Sequence, residues 1–101
     1  MTVSVTGYLE SFGSGVTSSG EEVIPFWTIS VSPDLYEELK GKLLYIPHAG
    51  ILGRVTDKMA SFQKNSVDLA VSSEEEARSV TKGSAEVFVI PYIRQECAWV
   101  S

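Results

Sequence analysis

The sequence predicts a small, mostly β domain: a barrel of six strands carrying two short helices. Three observations predict it. Short stretches alternate apolar and polar residues with period 2, two segments carry compact helix-start signals, and Gly- or Ser-bearing connections separate them. The 101 residues, 44% apolar and 21% charged, suit one folded domain, and with neither repeats nor a linker, residues 1–101 read as a single unit. A barrel also removes the exposed edges that many short strands would otherwise leave.

Val3 and Val5 alternate with Ser4 and Thr6, so the first strand runs to about Leu9. From Ser11 to Glu22 the chain turns to Gly and Ser, a long connection of the kind that often carries function. Val23 to Val31, rich in β-branched and aromatic residues, reads as a second strand with Pro25 at an edge or bulge. Ser32-Pro33-Asp34 starts a helix: Ser as N-cap, Pro at the first helical position, an acid in the first turn. Gly41 limits it to about two turns. Lys42 to Pro47 and Ile51 to Thr56 are two strands joined around His48-Ala49-Gly50. Asp57 to Asn65 is a polar connection, and Ser66 to Val71 a strand with Val67, Leu69 and Val71 on one face. Ser72 with Glu75 and Ser73 with Glu76 offer two overlapping capping boxes for a helix reaching Thr81, with Gly83 near its C-terminal cap. Ala85 to Tyr92 is the last strand, and the tail with Trp99 and Val100 is apolar enough to pack.

Charge and motif content exclude several functions. Thirteen acidic residues against eight basic ones give a net charge of -5, and Lys and Arg are scattered singly. That pattern argues against a nucleic-acid partner, which needs a basic patch. The single Cys97 makes no intramolecular disulfide, and with one His and no carboxylate cluster beyond the helix start at Glu74–Glu76, no metal or cofactor is expected. The run from Gly13 to Gly20 lacks the Gly-Lys-Ser/Thr of a P-loop, and no serine has a paired His and acid. His48 reads as a surface turn residue, and Trp27, Tyr36, Tyr45 and Trp99 as core. No stretch approaches the length of a membrane span and the N-terminus lacks a Sec signal. Cytoplasmic synthesis with action elsewhere, or a domain excised from a longer secreted protein, is the expectation.

Three ordered segments carry a family resemblance. The first is Gly15-Val16-Thr17-Ser18-Ser19-Gly20. The second is Val31-Ser32-Pro33 followed by Leu43-Leu44-Tyr45-Ile46-Pro47. The third is Asp57 and Asp68, eleven residues apart with Phe62 and Asn65 between them, followed by Glu76-Ala77, Val80 and Val87-Phe88-Val89-Ile90. Together they resemble the three-aspartate (3D) double-psi β-barrels of peptidoglycan lytic transglycosylases, related to membrane-bound lytic transglycosylase A, over roughly Val5 to Ile90. The departures are Ser32 in place of the first aspartate, Lys58-Met59 in place of Thr-Gly, and Gln63 and Lys64 in place of Lys and Gly.

The resemblance implies a six-stranded double-psi barrel that acts on peptidoglycan glycan strands without a cofactor. It makes Asp68 the general acid/base for cleaving the MurNAc–GlcNAc β-1,4 bond, with Asp57 beside it, and Thr17, Ser32, Gln63 and Lys64 as substrate-binding positions. Such enzymes form a 1,6-anhydro sugar, so one carboxyl group serves both proton transfers, unlike two-carboxyl glycosidases. An endolysin-like wall-degrading module fits this reading. A catalytically inactive glycan-binding or virion module on the same barrel is the alternative, because of Ser32.

Overall fold

A computed structural model describes residues 1–9, 22–60 and 62–90. The strands are β1 (Thr2–Leu9), β2 (Thr28–Val31), β3 (Leu43–Ile46), β4 (Ile51–Lys58), β5 (Ser66–Val71), β6 (Lys82–Glu86) and β7 (Phe88–Ile90). The helices are α1 (Pro33–Leu39) and α2 (Glu74–Val80). All seven strands form one curled sheet in the order β6-β1-β5-β2-β4-β3-β7. Apart from β7, which pairs with β3, its pairing is symmetric about the antiparallel pair β5/β2. Parallel pairs flank that centre, β1 with β5 and β2 with β4, and antiparallel pairs follow, β1 with β6 and β3 with β4.

The expected mostly β architecture with two short helices is what forms, with one strand more than the six expected. The final stretch is two strands, broken at Val87. These two consecutive strands lie at opposite ends of the sheet order, so the curl brings both ends to within one residue of each other along the chain. Val87 is fully buried in the interior.

The curl encloses one apolar core. Val5 of β1, Ile29 and Val31 of β2, Leu44 of β3, Val55 of β4 and Leu69 of β5 are all fully buried there. Each such side chain contributes roughly 1.5–3 kcal/mol relative to exposure. α2 packs on β1 and β5, and α1 on β2 and β4. The approach of α2 depends on Gly7: a Cβ there would lie 2.8 Å from Ala77 Cα and 2.9 Å from Val80 Cγ2. Among the described residues no helix is long and apolar enough to cross a membrane.

Local signals explain most boundaries. Ser66–Val71 forms as its strict alternation predicts, and α1 begins at Pro33 and ends before Gly41, whose φ of 79° suits a residue without Cβ. Ser73 caps α2 by accepting from Glu76 N at 3.2 Å, while Glu76 Oε1 accepts from Ser72 N at 3.0 Å. The Ser73/Glu76 box thus forms with its return bond displaced to Ser72. Three local readings need correction. The second strand is only Thr28–Val31, because residues 25–27 turn and Phe26 takes a φ of 63°. β4 runs on through Asp57 and Lys58 instead of ending at Thr56. Gly83 lies inside β6, not at a helix cap, since pairing with β1 recruits the chain straight after Thr81. The tail from Ile93 lies outside the described residues.

Candidate active site on the outer face

Strand periodicity sorts the side chains. Val5 in β1, Ile29 and Val31 in β2, and Val67 and Leu69 in β5 point inward, so Thr6, Tyr8, Ser30 and Asp68 face outward. Register then aligns them. Asp68 stands opposite Thr6 of β1 and opposite Ser30 of β2. Asp57 of β4 is the partner of Ser30 on its other side. Asp57, Ser30, Asp68 and Thr6 therefore form a row across four neighbouring strands.

Asp57 joins this row through a β-bulge. The register of β2 with β4 runs Thr28 to Arg54 and Ile29 to Val55, then shifts so that Ser30 meets Asp57. Continued without the shift, the ladder would place Thr56 opposite Ser30 and Asp57 opposite Val31, on the core face. Bulges commonly re-aim a side chain in this way.

Asp57, Ser30, Asp68 and Tyr8 line a cavity of about 270 Å³, together with Met59, Ala60 and Gln63 from the connection after β4. Asp57 Oδ1 accepts from Lys58 N at 2.9 Å. Asp68 Oδ1 accepts from the Thr6 hydroxyl at 2.8 Å. Burial pushes the Asp68 carboxyl above its ordinary value, and the Thr6 bond only partly offsets this by favouring the charged form. A carboxylic acid with a raised pKa, at the edge of a cavity, can hold a proton and give it up.

The sequence-predicted site residues separate into three groups. Asp57, Asp68 and Gln63 share the cavity. Ser32 and Lys64 do not line it. Ser32 is 0% exposed and its Oγ accepts from Ser66 N at 3.0 Å, while Ser32 N donates to Ser66 O at 2.9 Å. It couples α1 to the start of β5, and its burial keeps it from touching a substrate. Lys64 is exposed beside the Asp34 carboxylate, which also takes the Asn65 amide at 3.1 Å. Asn65 has a φ of 47°, tolerated because Asn suits the left-handed region. Thr17 lies outside the described residues, as do Cys97 and Trp99.

Sequence reasoning missed Tyr8, Ser30, Met59 and Ala60 as cavity residues. Sheet order places Tyr8 and Ser30 beside Asp68, and sequence carries no signal of which strands become neighbours. Two aromatic readings also change: Trp27 and Tyr45, expected in the core, are 36% and 40% exposed. Tyr45 stands opposite Leu52 of β4 and Phe88 of β7, which are 41% and 52% exposed, so an apolar row crosses three adjacent strands on the outside. His48, read as a surface turn residue, is exposed and bonds through Nε2 to Val80 O at 2.8 Å, tying its turn to the end of α2.

No family model matches the sequence, and no curated protein matches it significantly. Among solved structures it is similar to an expansin from Clavibacter michiganensis. An aspartate-to-asparagine mutant of that protein, in complex with cellohexaose, matches at TM-score 0.56 and 19% identity over 92% of this chain. The apo form matches at TM-score 0.56 and 18% identity over 93%. The chain spans about half the length of these structures, 51% and 52%. At this identity the likeness shows the fold alone, a curled β-barrel, and does not extend to the three-aspartate family in particular.

Proposed function

We propose that this domain binds and acts on cell-wall polysaccharide at the Asp57–Asp68 cavity. The observation that carries the reading is that cavity itself, in which two carboxylates share one row and one of them, Asp68, is shifted toward its protonated form. The expansin solved with cellohexaose lends support, since a domain of the same fold is part of a protein that holds a β-linked glucan. The exposed row of Leu52, Tyr45 and Phe88 adds apolar surface of the kind that marks binding faces.

The chemistry we assign to Asp68 is non-hydrolytic cleavage of a β-1,4 glycosidic bond. The Asp68 carboxylic acid gives its proton to the glycosidic oxygen as the bond from that oxygen to C1 breaks. The C6 hydroxyl of the same sugar then attacks C1, closing a 1,6-anhydro ring. Its proton passes to the Asp68 carboxylate, which restores the acid, and no water is consumed. Thr6 holds one carboxyl oxygen and leaves the other to carry the proton. Asp57 and Gln63 orient the sugar. The preferred substrate is the MurNAc–GlcNAc strand of peptidoglycan, as the resemblance to the three-aspartate domains implies.

A second reading is a binder without catalysis on the same barrel. It is favoured by Ser32, which replaces a family aspartate with a buried structural serine. Incubation with purified peptidoglycan, followed by mass spectrometry, tests both. Anhydro-muropeptides support cleavage. Retention on sacculi without anhydro products supports the binder, and neither result removes the glycan reading.

A further inference from the structure

The fold gathers cations that the sequence scatters. Lys40, Gly41, Lys42 and Arg54 line a second cavity of about 360 Å³ at the turn between α1 and β3. Three of the chain's eight basic residues meet there, on a protein of net charge -5. The turn is held open by its backbone. Gly41 N donates to Val55 O at 2.7 Å, Lys42 N to Leu39 O at 2.9 Å, and Arg54 Nε lies 3.5 Å from Gly41 O. A Cβ on Gly41 would meet nothing within 4 Å, so the space beside it is open. Lys40 is paired with the exposed Glu37 at 3.1 Å, an ion pair of small worth. Lys42 is half-buried, and its side chain makes no ion pair or hydrogen bond among the described residues.

The two cavities share strand β4, Arg54 lining this one and Asp57 the first. Arg54 and Asp57 lie three residues apart on β4, about 10 Å along the strand. The Tyr36 ring of α1 has Lys40 Nζ 5.9 Å and Lys58 Nζ 5.4 Å from its centroid. Both distances fall within cation–π range.

We infer that the α1–β3 turn is an anion subsite that takes a carboxylate or phosphate group carried by the bound saccharide. The assignment of the anion rests on the geometry of this cavity, and that of the saccharide on the function proposed above. A guanidinium beside ammonium groups suits oxyanions, with Arg supplying a planar fork and Lys a point charge. The site would select substituted strands over neutral glucan.

Amide chemical shifts of the ¹⁵N-labelled protein, titrated with inorganic phosphate, glucuronate and glucose, test the inference. Phosphate or glucuronate should move the Gly41, Lys42 and Arg54 resonances saturably, and glucose should not. Whichever anion saturates at the lower concentration identifies the substituent. Lys42→Gln should weaken anion binding about tenfold, and Lys42→Gln with Arg54→Gln should abolish it. Lys82→Gln serves as the surface-charge control and should change nothing. Shifts that do not saturate, that appear equally around Lys82, or that persist in the double variant would overturn the subsite. A titration with soluble peptidoglycan glycan strands separates the two proposals. If the Ser30 and Asp68 amides ignore these strands while Gly41 answers to phosphate or glucuronate, the subsite stands and the glycan reading fails. The reverse pattern removes the subsite and leaves the glycan reading.

Discussion

Asp57 and Asp68 come from different strands and stand on either side of the same residue, Ser30, as its register partners from β4 and β5. Their eleven-residue separation in sequence becomes a separation of two strands. The arrangement depends on a bulge in one ladder and on unbroken pairing in the other. Ser30 is 6% exposed, small enough to sit between two carboxylates without filling the cavity they line.

Asp68→Asn should lower anhydro-product formation by about 10²–10⁴-fold, since Asn keeps the shape but transfers no proton. Mass spectrometry of digested peptidoglycan reads this directly. Wild-type yield in the variant would show that Asp68 is only a strand residue.

The same substitution has a stability signature with a defined sign. The folded-state pKa of Asp68 is raised above its unfolded value, chiefly by burial. Its contribution to stability is therefore fully present below the unfolded pKa and is lost as pH rises through the folded one. Measured by urea unfolding, Asp68→Asn should gain stability relative to wild type on going from about pH 3 to pH 7. The exposed carboxylates Asp34 and Glu86 and the half-buried Glu76 have lowered pKa values, set largely by hydrogen bonds from Ser32, the N-terminus and Ser72 respectively. They act in the opposite direction in both proteins, so the difference between variants isolates Asp68. A flat difference would mean that the Asp68 carboxyl is well solvated.

Thr6→Val removes the hydroxyl donor that favours the charged form of Asp68. The carboxyl pKa should rise further, and the alkaline limb of the pH–rate profile should move to higher pH. A purely structural role for Thr6 would change the rate at every pH alike and leave the limb in place.

How much of this was legible in the sequence follows from the range of each interaction. Ser66–Val71 and Pro33–Leu39 were readable because alternation, a Pro at the first helical position and a terminal Gly act within a few residues. The aim of Asp57 was not, because it depends on a register shift between β2 and β4, and a bulge carries no signature in Val55-Thr56-Asp57. The break at Val87 was hidden for the same reason: Ala85 to Ile90 alternates as one strand would, yet its two halves answer to different partners, β1 and β3. Trp27 was misplaced because the chain turns at residues 25–27 before β2 begins, and Tyr45 because an aromatic in a strand has two faces available, and only the curl decides which is inside. The basic cavity was invisible because Lys42 and Arg54 meet only once Lys42 O has taken Val55 N at 2.9 Å.

Gly7→Ala tests the packing of α2 on β1. The added methyl would come within 3 Å of Ala77 Cα and Val80 Cγ2. Forcing such a contact costs about 1–3 kcal/mol, and the thermal midpoint should drop accordingly. An unchanged midpoint would show that α2 can lift away without loss.

Removing the α2 cap is a milder probe. Ser73→Ala deletes the acceptor for Glu76 N and should cost about 1 kcal/mol. Glu76 keeps its bonds to Ser72, so the helix should persist, with the loss read by chemical denaturation.

The split at Val87 also orders events in time. Leu43, Leu44 and Tyr45 wait for partners among Phe88 to Ile90, while Thr2, Val3 and Val5 wait for partners between Lys82 and Glu86. A growing chain thus carries two bare strand edges until nearly all of the described domain has been synthesised, and then covers both with consecutive residues. Shortening the chain ahead of Val87 would leave the edge of β3 without its partner strand, and a loss reaching Lys82 would bare both edges at once, so such fragments should self-associate before they unfold.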